Sequence, residues 1–118
     1  MKSICFIGIH KDALQRIPND VLLEELSHQV GDIAVELGVA LGLSMVDIEE
    51  SLFRYPKSMF DQTCDVLKKW NNSRKEVMPT ICILMRAMQE SDSRGFWFLK
   101  RNLPNSLNLY TSSINTVG

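Results

Sequence analysis

Cysteine is scarce in this chain and poorly spaced for building structure. The three cysteines, Cys5, Cys64 and Cys82, are odd in number and nowhere form a CxxC pair. Neither a disulfide framework nor a zinc knuckle is therefore written here. The thiols fit reduced cysteines in a cytoplasmic setting, where they act as small core hydrophobes. Glycine and proline are also few, six and four in 118 residues, which excludes a loop-rich or collagen-like chain. No apolar run approaches the ~18 residues that crossing a bilayer requires. The patch Ile4 to Ile9 is shorter than a secretory h-region, and His10, Lys11 and Asp12 close it. Membrane insertion is not expected.

Histidine is limited to His10 and His28. Nucleophilic catalysis needs a base within hydrogen-bond reach of the nucleophile, and neither histidine sits in such a pattern. A Walker loop, GxGxxG, HExxH and an EF-hand loop are all absent. The carboxylates fall on predicted outer helix faces. Met78, Met85 and Met88 recur at helical spacing and read as core filler. These absences predict no catalytic residue, no cofactor and no metal site.

What is present is the composition of an ordinary globular domain, 45% hydrophobic and 23% charged. The length suits one domain. Residues 1–18 form a lead-in whose apolar patch fits a short strand, a helix packed on the domain or vector-derived sequence. Residues 19–103 carry helical periodicity six times over. Residues 104–118 are polar and uncharged, as in a tail with little fixed structure.

The first predicted helix starts at the N-cap signal Asn19-Asp20 and carries Leu23, Leu26 and Val30 on one stripe. Gly31 ends it. The second follows Asp32 and carries Ile33, Leu37, Ala40 and Leu41, with Gly42 as a left-handed stop. Ser44-x-x-Asp47 caps the third, whose inner stripe is Met45, Ile48 and Leu52. Tyr55-Pro56 terminates that helix.

Ser58-x-x-Asp61 opens the fourth helix, with Phe60, Cys64 and Leu67 inward and Trp70 at its end. Pro79 suits the first residue of the fifth, Thr80 to Glu90, which is apolar nearly all round and so belongs inside the domain. The sixth follows Ser91-Asp92 with Phe96, Leu99 and Leu103 inward; Gly95 within it costs about 1 kcal/mol of helix propensity. No alternating β-branched stretch competes in this region. Short helices on short loops predict an all-α antiparallel bundle.

A formal charge of −1 conceals an asymmetry. From Asp20 to Phe53 there are eight acidic residues and no Lys or Arg, whereas Arg54 to Leu103 holds ten basic against five acidic. A negative face on one molecule can meet a positive face on another, which steers encounter and fixes register. Unlike faces meet head to tail and build rings or open helical assemblies. The alternative is a helix-turn-helix over Leu37 to Ile48. DNA affinity comes largely from neutralised phosphates, however, and Asp47, Glu49 and Glu50 carry the wrong sign. Nucleic acid is accordingly not the expected partner.

Within residues 19–103 stand Leu41-Gly42-Leu43-Ser44, Asp47-Ile48, Pro56, Ser58, Gln62 and Leu67-Lys68-Lys69-Trp70. In these residues the chain resembles a death domain, closest in pattern to those of ankyrins. Many relatives place a tryptophan where this chain has Ala34, so Phe96 or Trp97 is expected to fill that part of the core. The resemblance implies a six-helix Greek-key bundle that serves as an adaptor in apoptotic or innate-immune signalling. Its partners would be other death-fold domains, homotypic or heterotypic. Carried onto this chain, the acidic side is Glu36, Asp47, Glu49 and Glu50. The basic side is Arg54, Lys57, Lys68, Lys69, Arg74 and Lys75.

Overall fold

The computed structural model describes residues 11–73 and 77–103. Among them the chain forms helices and no strand: α1 (Lys11–Leu14), α2 (Asp20–Gln29), α3 (Ala34–Ala40), α4 (Met45–Arg54), α5 (Met59–Asn72), α6 (Ile81–Ser91) and α7 (Ser93–Asn102). The all-α expectation holds for these residues. Helices α2 to α7 coincide with the six predicted, and α1 is an addition within the lead-in. It buries Ala13 and is followed by a tie in which the Ile81 N–H donates to the Arg16 carbonyl at 2.8 Å. The Ile4–Ile9 patch and the polar tail lie outside the described residues.

Capping chemistry sets most helix starts. Asn19 Oδ1 accepts from the Leu22 N–H at 2.8 Å, and the Ser44 and Ser58 hydroxyls accept from Asp47 and Asp61 N–H groups at 3.1 Å. Each bond satisfies a donor that the first turn leaves without a partner. Thr80 caps α6 by accepting from the Ile83 N–H, so Pro79 precedes the cap and is not the first helical residue. Gly42, at φ +86°, ends α3. There the Leu43 N–H reaches Gly38 O at 2.9 Å and the Gly42 N–H reaches Val39 O at 3.0 Å, the paired bonds of a Schellman stop.

Helix α5 packs on α2, α3 and α4, while α6 packs on α1, α3 and α7, and α2 meets α7. Leu23 and Leu26 from α2, Leu37 from α3, Leu67 and Trp70 from α5, and Leu84, Met85 and Met88 from α6 fill the interior. Complete burial of such a side chain contributes roughly 1.5–3 kcal/mol. Phe96 is buried beside them, whereas Trp97 is 50% exposed, so Phe96 is the one that enters the core. Gly95 is required by close approach: a Cβ there would run into the Met88 sulfur on α6.

Three expectations about inward faces fail. On α4, Ile48 and Ser51 are buried while Met45 is 49% exposed, so the helix is rotated from its predicted stripe. Its hydroxyl explains Ser51: it donates to Asp65 at 2.6 Å and thereby crosses to α5 without leaving a polar atom unmatched. Met78 is exposed and is not core filler. Helix α6 has a polar side after all, with Arg86, Gln89 and Glu90 exposed.

Candidate docking surface

Among the described residues helix α4 touches chiefly α3 and α5, which leave its outer side uncovered. Val46 and Phe53 stand 75% and 85% exposed there. Where α4 turns into α5 a groove of about 560 Å³ opens, lined by Glu49, Leu52, Phe53, Pro56 and Gln62. The turn beneath it is pinned, because Gln62 Nε2 donates to the Tyr55 carbonyl at 2.8 Å while Ser58 caps α5. The groove therefore offers apolar walls, one carboxylate and a fixed backbone.

Behind that face, α4 and α5 are laced together by charge. Lys69 Nζ lies 2.9 Å from Glu50 and 3.4 Å from Asp65, and it also donates to the Asp47 carbonyl at 2.8 Å. Arg54 adds contacts to Glu50 at 3.4 Å and Asp65 at 3.8 Å. The Lys69 hydrogen bond, reinforced by the charges of Lys69 and Arg54, holds the Glu50 carboxyl below its ordinary range. Lys68 pairs with Glu24 on α2 at 2.9 Å, and that hydrogen bond raises its pKa. The Arg54–Glu50 and Lys68–Glu24 pairs are open to water, which screens them, whereas Lys69 and Asp65 are mostly covered.

The two charge sets expected on separate surfaces are thus brought together in part. Glu50, Arg54, Lys68 and Lys69 pair within the chain because α5 packs against both α4 and α2. Glu36, Asp47, Glu49 and Lys57 have exposed side chains that form no ion pair among the described residues. Arg74 and Lys75 lie outside the described residues. The exposed apolar side chains Val46, Phe53 and Trp97 were not among the candidates. The signal for two of them was available: Val46 and Phe53 are seven residues apart and form a second apolar stripe on α4.

Other chemistry-bearing groups are engaged elsewhere. His28 stacks on Phe60 with ring centroids 4.2 Å apart. Cys64 is buried, and its burial pushes the thiol pKa up, away from the reactive thiolate. Among the described residues no group of three or more His, Cys, Asp or Glu side chains is arranged to hold a metal ion. None of the helices there is long and apolar enough to cross a membrane. No family model, curated protein or solved structure matches the chain.

Proposed function

We propose that this chain is a non-enzymatic interaction module, an adaptor that recruits other death-fold domains, homotypically or heterotypically, in intracellular signalling. In this reading α2 to α7 are the six helices of a Greek-key death fold. The pairings of α2 with α7 and of α3 with α6, with α4 at the edge, support that architecture. One observation carries the function: the outer face of α4 holds exposed Phe53 and Val46 beside the Glu49 carboxylate. Aromatic anchors next to a groove are what protein interfaces use to supply binding energy. Charge at the rim then steers the partner and makes the contact salt-sensitive. The helix-turn-helix alternative would bring Asp47 and Glu49 toward phosphates, which opposes binding.

Size-exclusion chromatography with light scattering, run across salt and protein concentration, tests this reading. The expected result is a mass that rises with concentration and falls with salt, and that is lowered by Glu49→Lys. Glu49 is the appropriate reversal because Glu50 is committed to Lys69 and Arg54. A monomer mass throughout, with no association to any death-fold partner, would contradict it.

A further inference from the structure

A second face of the molecule carries exposed charge of one sign around an aromatic. Helix α7 holds no acidic residue, and Trp97, Lys100 and Arg101 share one of its sides by their i, i+3, i+4 spacing. The Trp97 indole has two neighbours on its own helix. It meets the buried Phe96 edge to face at 5.3 Å between centroids, and Lys100 Nζ stands 5.2 Å from the Trp97 centroid. Half of the indole surface remains open to solvent.

Between α3 and the end of α6 lies a shallow groove of about 320 Å³, lined by Val35, Glu36, Val39, Ala40, Glu90 and Ser91. Its floor is aliphatic and its charge is entirely negative. Neither Glu36 nor Glu90 forms an ion pair among the described residues. The volume is at the lower limit of small-molecule pockets, which run to ~300–1,000 Å³, and it suits one large side chain. The two faces are complementary in both respects: an aromatic for an aliphatic floor, and two cations for two carboxylates. With a formal net charge of only −1, two copies meet little overall repulsion.

We infer that the occupant of the α3–α6 groove is a second copy of this chain, which inserts Trp97 and sets Lys100 and Arg101 against Glu36 and Glu90. This rests on the homotypic form of the reading above and assigns it surfaces on α3, α6 and α7 that are separate from the α4 face. Because donor and acceptor faces differ, each molecule offers both and can engage neighbours on two sides.

Sedimentation velocity of the full chain at low and physiological salt tests the pairing through charge exchange. The variants Glu36→Lys/Glu90→Lys and Lys100→Glu/Arg101→Glu should each weaken self-association by about tenfold or more. Mixing the two should recover a complex, since one brings an intact α7 and the other an intact groove. The fourfold variant should associate again with its charges exchanged. Trp97→Ser should weaken association with the unfolding midpoint retained.

The inference is overturned if wild-type chain associates and these variants match it, a result that leaves the broader reading standing. It is equally overturned if vesicles rich in phosphatidylserine shift the Trp97 fluorescence, identified by its loss in Trp97→Phe, while the chain stays monomeric. If wild-type chain is monomeric and also ignores death-fold partners, the broader reading fails with it.

Discussion

Helices α4 and α6 are similar in length, 10 and 11 residues, yet they place their apolar side chains in opposite ways. Helix α6 runs between α3 and α7 and places Ile81, Leu84, Met85, Ala87 and Met88 in the interior. Helix α4 lies at the edge, buries only Ile48 and Ser51, and turns Val46 and Phe53 outward. Apolar residues on α6 are accounted for by stability. Val46 and Phe53 on α4 are not, and a scattered exposed leucine is a different matter from an almost bare phenylalanine beside a groove. The difference separates residues that hold the bundle together from residues that have no role within it.

The largest effect that can test this contrast lies in the core. Trp70, which is 6% exposed, should cost ~3–5 kcal/mol when replaced by alanine, read by urea denaturation. Phe53→Ser should stay within about 0.5 kcal/mol of wild type, as surface changes usually do. A loss at Phe53 as large as that at Trp70 would erase the distinction between the helices.

A middling effect is expected at the α6–α7 junction. Asp92 Oδ1 accepts from the Arg94 N–H at 3.0 Å, its Oδ2 lies 2.6 Å from the Arg94 guanidinium, and Oδ2 also accepts from the Gly31 N–H at 3.4 Å. Asp92→Ala should cost about 0.5–2 kcal/mol, as loss of an N-cap does. The Arg94 hydrogen bond, ahead of the other contacts, holds the Asp92 carboxyl below its ordinary value. Its contribution is therefore present above the unfolded-state pKa of about 4 and is lost as pH falls through the lower folded value. Asp92→Asn should flatten the acid side of the stability profile, and an unchanged profile would show that the cap does not titrate with folding.

The smallest effect belongs to the seam behind α4. Arg54 is half exposed where it meets Glu50 and Asp65, so Arg54→Gln should cost no more than about 1 kcal/mol. High salt should remove most of the difference from wild type. A larger, salt-independent loss would mean that the seam holds α4 in place as strongly as the core does.

The features that local chemistry decides are legible in the sequence. Asn19, Ser44 and Ser58 cap helices because their side chains bond to nearby N–H groups, and Gly42 stops α3 because it has no Cβ to oppose a positive φ. Trp70 and Leu67 were recognisable by their place on a strong stripe. The rotation of α4 was not legible, since Met45-Ile48-Leu52 and Val46-Phe53 are both plausible inner stripes and only packing on α3 and α5 selects between them. Nor was the pairing of Glu50 with Lys69, which are nineteen positions apart in the sequence and meet through tertiary structure. On the candidate surface, charge bias marks Glu49 but not Phe53, because it singles out ionic residues alone.

The most direct test of the central claim, that the outer face of α4 receives a partner helix domain, is an amide NMR dilution series on isotope-labelled chain. The account predicts that signals from Val46, Glu49, Phe53 and their neighbours shift with concentration, and that Phe53→Ser suppresses those shifts while the rest of the spectrum is kept. Signals on α4 that stay fixed from the most dilute to the most concentrated sample, and remain fixed when a death-fold partner is added, would contradict it.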